Sequence, residues 1–439
     1  MTPAEPDARN SGASAAAPGC PAHREDGDPA ESAVPLSGPR FQIEPNVLYR
    51  EMRRDHGSVA PVVLDGGIPA WLVLGYRELH QVTGDPVLFS RDSEVWSQWH
   101  RVPEDWPLAP LIGRAQPSIL YTTGERHRER ATMVSDALEA VDPFMLRHFA
   151  EQLADELIDG FCAEGGTDII ARYARPFPVR VLARIYGFPD DQGPGLAAAA
   201  IDLADGGELA QAAQRHLFEA TASLLAAKKD GAGPPDVASL LLGNTAGFTE
   251  EEVLHDLIVL VLAGHTLTAD WIGNSLRLML TDERFAASLS GGRHSVAEAM
   301  NEVLWEDTPA QNAVGRWATR DTTLGERPVK AGDMLLLGIA AANNDPQIRT
   351  HGAALTGGNN AYFSFGHGEY RCPFPAQEIA EVIARTAIEV LLDRLPDIEL
   401  AVPVDTLTRR SSPWARGLTA LPVHFAPAPT VRPGGGGTR

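Results

Sequence analysis

The sequence predicts a mainly α-helical fold with small β-sheets. Met133–Ala163, Gly207–Lys229 and Glu250–Leu280 carry apolar residues three and four apart among Ala, Leu and charge, the period of an amphipathic helix. Stretches with the alternation of strands are few and short. No internal repeat interrupts the chain.

The elements follow in order. Residues 1–40 hold no Phe, Trp or Tyr, and 24 of the 40 are Ala, Pro, Gly or Ser. Such a segment buries too little apolar area to offset its ordering entropy, so a disordered leader is expected. Ala60–Leu64 and Trp71–Leu74 read as strands around the turn Asp65-Gly66-Gly67. The long helical runs come next, with Pro189–Gly195 and Gly231–Pro235 as surface loops. Thr249 before Glu250, Glu251 and Glu252 is an N-cap with an acidic first turn, which suits the helix dipole. Gly315–Thr319 and Met334–Leu337 are further strands, so a small sheet is expected near each end of the sequence. A helix is expected over Pro375–Leu392, and the tail from Ala426 (APAPTVRPGGGGTR) repeats the character of the leader.

Composition narrows the function. The 439 residues carry 37 Lys or Arg and 58 Asp or Glu, a net charge of −21. That balance argues against nucleic acid or an anionic membrane as the main partner, since both need a basic surface. At ~150 residues per domain, about three domains or one large enzyme domain would fit. Three cysteines, Cys20, Cys162 and Cys372, cannot build a disulfide framework. The N-terminus has no signal-peptide pattern, and the aliphatic run Leu257–Gly264 falls short of the ~18 residues needed to span a bilayer. The protein therefore reads as cytoplasmic.

The chemistry concentrates in Phe363-Ser-Phe365-Gly366-His367-Gly368-Glu369-Tyr370-Arg371-Cys372-Pro373. Gly366 and Gly368 let a backbone fold tightly and approach a flat ligand. Proline after Cys372 favours a helix start, and a cysteine there has its thiolate stabilised by the dipole and free amides. Zinc would need three or four Cys/His ligands and no second cysteine lies near, so a haem iron suits this thiolate better.

Phe-Gly-x-Gly followed by Cys at this spacing resembles the haem-binding loop of the cytochrome P-450 superfamily. The resemblance runs over nearly all of residues 41–425, including Asp85-Pro-Val-Leu-Phe-Ser, Leu262-Ala263-Gly264-His265-Thr266-Leu267-Thr268-Ala269 and Asn344-Asp345-Pro346. It implies one haem domain over 41–425 between the leader 1–40 and the tail 426–439. It implies haem b as cofactor, with Cys372 as axial metal ligand, Phe365 packed on its sulfur, and Gly366 and Gly368 shaping the loop. His127 and Arg316 would bind the haem carboxylates. The expected activity is mono-oxygenation of a small organic substrate, with electrons from ferredoxin and ferredoxin reductase, since no flavin or nicotinamide fingerprint is present.

This chain departs from the family pattern in ways that bear on mechanism. In the central helix the usual acid is Thr266 and the usual relay threonine is Leu267. Thr266 and Thr268 are then the candidate catalytic residues with bound water, or else they only bond back to helix carbonyls. In Glu302-Val-Leu-Trp305 a tryptophan replaces the arginine of Glu-x-x-Arg, so Glu302 needs another donor, such as the Trp305 indole or Arg349. The usual arginine one turn after His127 is Ala131, with Arg128 or Arg130 as possible substitutes. Tyr370 stands where a carboxylate-binding His or Arg is usual. Pro373 and Pro375 lack amide donors to the sulfur, which predicts a low reduction potential. Arg126, Arg128, Arg130 and Arg371 form a candidate docking patch for an acidic electron carrier. Trp96, Trp99 and Trp106 either roof the substrate pocket or pack the core. Peroxide-driven or isomerising chemistry would tolerate Leu267, and a non-catalytic haem-binding sensor or docking module is the alternative of another class.

Overall fold

The computed structural model describes residues 33–431 apart from short segments at 104–105, 107, 109–111, 113–115, 206–208, 232–234, 245–246, 283–284, 286–293 and 349–358. It is mostly helical with three small sheets, as the helical periodicity predicts.

Strands and helices form largely where residue type dictates. The hairpin Val59–Leu64 with Ile68–Val73 turns at Asp65-Gly66-Gly67, where both glycines adopt positive φ. Its partner is distant in sequence: Ile68–Val73 pairs in parallel with Met334–Leu337, which pairs with Ala313–Ala318, which pairs with Phe89–Ser90. The expected two sheets, one near each end of the sequence, are thus strands of one six-stranded sheet. Period and composition are silent on such long-range pairing.

The Met133–Ala163 run is two helices, Gly124–Glu139 and Pro143–Asp159. Asp142 breaks it by capping the second helix, accepting from the amides of Phe144 at 2.8 Å and Met145 at 3.2 Å, with Pro143 at the first position. Pro189–Gly195 is not a free loop, because one short turn leads into the helix Gly193–Asp205. Most of Gly231–Pro235, and Cys20 in the leader, lie outside the described residues.

The ordered chain reaches further than composition suggests. Val34–Pro35 pairs with Val62 and Val63, and Leu36 and Phe41 are buried. Two apolar side chains suffice to fasten the end of a segment whose average composition is disordered. Past Phe425 the tail is pinned by its amides, that of Ala428 donating to the Cys162 carbonyl and that of Ala426 to the Asp397 carboxylate.

The central helix runs Glu250–Thr281. Thr249 accepts from the Glu252 amide at 3.2 Å while Glu252 accepts from the Thr249 amide at 2.8 Å, a reciprocal capping box. Among the described residues it is the one helix long and apolar enough to cross a membrane. Its apolarity serves packing, because it lies against Pro176–Tyr186, His294–Glu306 and Ala376–Arg394.

The C-terminal loop is clamped to that core through Asp307. Its carboxylate accepts from Arg416 Nε at 2.8 Å, from Arg277 at 3.2 Å and from Arg409. Burial raises the carboxyl's pKa, but the three guanidiniums outweigh burial and hold it far below the usual range. A depressed pKa contributes stability above the unfolded value of about 4, lost as pH falls toward the folded one. Asp307→Asn is therefore expected to cost about 3 kcal/mol at neutral pH in urea unfolding and to flatten the acid limb of the stability curve.

Candidate functional site

The cysteine loop is fastened at both ends. The Phe363 amide donates to Asn343 Oδ1 at 2.8 Å, and Asn343 Nδ2 reaches the Leu304 carbonyl at 2.9 Å. Ser364 Oγ donates to the same carbonyl at 2.7 Å. Within the loop, the Gly366 amide bonds to the Phe363 carbonyl at 2.7 Å and the Cys372 amide to the Phe365 carbonyl at 2.8 Å. The helix that follows starts at Ala376, not at Pro373, so Cys372 is four residues short of its first turn and gains no dipole stabilisation. Burial pushes the Cys372 thiol up to about 11.

The two glycines do separate work. Both have positive φ. A Cβ on Gly368 would lie 2.1 Å from the Thr83 carbonyl oxygen, whereas a Cβ on Gly366 would meet Arg371 Cα at 3.2 Å. Gly366 lets the loop turn back on itself. Gly368 lets it press against the end of the helix Tyr76–Gly84, where His367 Nδ1 lies 3.0 Å from Thr83 Oγ1. The close approach expected toward a flat ligand is, at Gly368, made to protein backbone. Phe365 directs its half-buried ring at Trp271 of the central helix, with centroids 5.8 Å apart and nearly perpendicular.

On the central helix one stretch departs from its buried surroundings. Ala263 is exposed, and Gly264, Thr266 and Leu267 are half-buried. Thr268 lies about 140° round the helix from Ala263 and is buried, so it belongs to the packed side. Of the two candidate threonines, only Thr266 shares the open face. It borders a small cleft with His265, Asp270, Arg175 and Arg410. Leu267, in the relay position, packs with the cluster containing Val73, Ile339 and Phe363.

A third component is a cationic group around Tyr370, in which His127 and Arg316 are buried and Arg91 is half-buried. His127, on the helix Gly124–Glu139, packs edge-on against the Tyr370 ring at 4.6 Å. Burial first, then nearby Arg91, pushes it down to about 4, so it is neutral at pH 7. The Arg316 guanidinium lies 4.8 Å from the same ring centroid and Arg91 lies 5.1 Å from it. Burial pushes Arg316 down to about 9 and Arg91 to about 10, with Arg91 adding to the effect on Arg316. Sequence reasoning missed Arg91. Its signal is the pairing of Ser90 with Trp317, which brings Arg91 beside Arg316, and that register is invisible without the sheet.

Several expectations are corrected. Arg130 is fully buried and committed to Asp256 at 2.7 Å and Glu252 at 3.2 Å, and Arg128 pairs with Glu125 at 2.7 Å and Glu369 at 3.4 Å. Neither substitutes for an arginine at Ala131. With Arg126 paired to Glu252, the docking patch shrinks to exposed Arg371, because neighbouring acids neutralise the rest. Trp96 and Trp106 are buried under the main sheet with Trp317, so they pack the core and do not roof a pocket. The Trp305 indole donates to the Asn359 carbonyl at 3.0 Å, Glu302 is buried, and Arg349 lies outside the described residues.

Among the described residues no three His, Cys, Asp or Glu side chains converge on a metal site. An iron at Cys372 would take its remaining ligands from a macrocycle. Buried Arg316 and half-buried Arg91 with a neutral histidine suit carboxylates on that macrocycle. The donor set fits haem.

No protein-family model matches the chain. It is similar to the vitamin D(3) 25-hydroxylase of Pseudonocardia autotrophica, 28% identical over 394 residues that cover 88% of this chain and 95% of the relative. It is also similar to the cytochrome P450 monooxygenase PikC of Streptomyces venezuelae, 27% identical over 88% of this chain and 92% of that one. Among solved structures, CYP154C4 from Streptomyces sp. ATCC 11861 superposes with a TM-score of 0.79 at 26% identity, covering 90% of this chain and 99% of the other.

Gly368→Ala is expected to cost about 2 kcal/mol or more, since it adds a strained φ to a clash with fixed backbone. Gly366→Ala meets a looser neighbour and is expected to cost less in the same thermal-unfolding comparison.

Proposed function

Because the chain belongs to the cytochrome P450 superfamily and is a haem-dependent monooxygenase, we propose that Cys372 is the residue whose thiolate would hold the haem iron and Thr266 its proton-handling residue. The observation that carries this reading is the half-buried Cys372, held by its own amide in a glycine-turned loop whose Phe365 faces the central helix. Bound haem supplies the one-electron and dioxygen chemistry that no side chain offers.

The chain's residues divide the remaining work. Cys372 would hold the haem iron and lend it electron density. Arg316 would hold a haem carboxylate by charge-assisted bonds, and neutral His127 would add a hydrogen bond. Thr266, on the open face one turn before Asp270, holds a proton or an ordered water at its Oγ1. Asp270 itself is tied to Arg410 at 2.6 Å. Thr268, on the packed side, takes no part. The relatives' names support a small organic substrate. Electrons come from a ferredoxin and its reductase, a reading supported by the absence of nicotinamide or flavin fingerprints in the sequence and by exposed Arg371 beside Cys372.

Leu267 favours a second reading, peroxide-driven turnover, because leucine neither donates nor relays a proton. Product formed with NAD(P)H, ferredoxin and reductase at a rate above that with peroxide supports the first reading; product with peroxide alone supports the second. The thiolate has its own test. The reduced, CO-bound protein is expected to show a thiolate-type Soret band, lost in Cys372→Ser. A histidine-type band in the wild type overturns the assignment.

Among the described residues no donor reaches the Cys372 sulfur, and residue 373 is a proline without an N–H. Pro373→Leu restores an amide there and is expected to shift the midpoint potential upward in a spectroelectrochemical titration. An unchanged midpoint would contradict the account of a low potential.

A further inference from the structure

Many of the buried and half-buried arginines in this protein are matched with acids. Arg130 pairs with Asp256 and Glu252, Arg410 with Asp270, and Arg409 and Arg416 with Asp307. Arg91 and Arg316 break the pattern. Both approach the face of Tyr370, they repel one another, and among the described residues neither has a carboxylate partner. Arg316 makes one bond, to the Gly315 carbonyl at 3.3 Å, and leaves its Nε without one. Two desolvated like charges are costly unless an anion lies between them. Among the remaining neighbours His127 is neutral and burial raises the Tyr121 phenol above its ordinary value, while the Glu369 carboxylate near Tyr370 is paired with Arg128 at 3.4 Å. The group therefore presents two positive charges to a ligand with two negative ones.

We infer that Arg91 is a haem-carboxylate ligand, supplying from the segment after Phe89–Ser90 the cation that the helix Gly124–Glu139 lacks at Ala131. The inference rests on the haem-thiolate reading and deepens it. Sheet pairing explains how the replacement is placed. Ser90 is registered with Trp317, so the residue after one and the residue before the other lie side by side. Arginine suits the role because its planar fork matches a carboxylate and keeps its charge when buried.

The test is the rate of haem release from holoprotein to an excess of an apo-globin, for wild type and Arg91→Met. It is made with natural haem and with haem dimethyl ester, whose carboxylates are capped. R91M is expected to release natural haem about tenfold faster than wild type, the loss of one charge-assisted contact, and to match wild type on the ester. Equal release of natural haem by both proteins, or the same acceleration on both haems, overturns the inference. Should R91M accumulate no holoprotein, Arg91→Lys decides. Lysine keeps the charge without the fork, so R91K is expected to release natural haem faster than wild type by less than about tenfold and to match wild type on the ester; equal release of natural haem by R91K and wild type, or the same acceleration on both haems, overturns the inference. A wild-type protein that takes up no haem overturns the haem-thiolate reading itself. Wild type that binds haem, with R91M holding it equally well, overturns only the role of Arg91.

Discussion

The bond from the Cys372 amide to the Phe365 carbonyl closes the loop on which the site depends. It requires the left-handed turns at Gly366 and Gly368, and it sets which way Cys372 and Phe365 face. The loop in turn needs a rigid seat. Asn343 and Ser364 both reach the Leu304 carbonyl, tying the loop to the end of the helix His294–Glu306. Thr83 and His367 tie its other side to the helix Tyr76–Gly84. Four segments far apart in sequence thus agree on the position of one sulfur.

Charge is arranged by a similar economy. Acids and arginines that fasten helices are paired within the protein, as at Arg130 with Asp256 and around Asp307. Arg91 and Arg316, without a carboxylate partner among the described residues, meet at Tyr370. The pairing pattern distinguishes these two from the arginines that fasten helices through acids. Near the loop, Glu302 is buried and Trp305 is bonded to the backbone at Asn359.

Much of the fold was legible wherever the physics is local. The capping box at Thr249, the Asp65-Gly66-Gly67 hairpin and the strand Met334–Leu337 follow from residue types within a few positions. The Asp142-Pro143 break was equally readable, but the surrounding helical period masks it. Cys372 stood out because two glycines and a phenylalanine precede it at fixed spacing. The placements of Arg130, Thr268 and Arg91 were not legible. Each depends on which side of an element a residue occupies, or on which strand lies beside its own, and neither is encoded within a short window.

The parallel register of Trp71 with Leu335 has a consequence for how the molecule comes into being. A strand made early in synthesis waits some 260 residues for its neighbour, a loop closure of high contact order. Until Met334–Leu337 emerges, the Ile68–Val73 edge is open to pairing with other chains. The helices between have local contacts and can form first. Assembly of the sheet, and with it the approach of Arg91 to Arg316, belongs to the last stage of folding, when the cysteine loop is also leaving the ribosome.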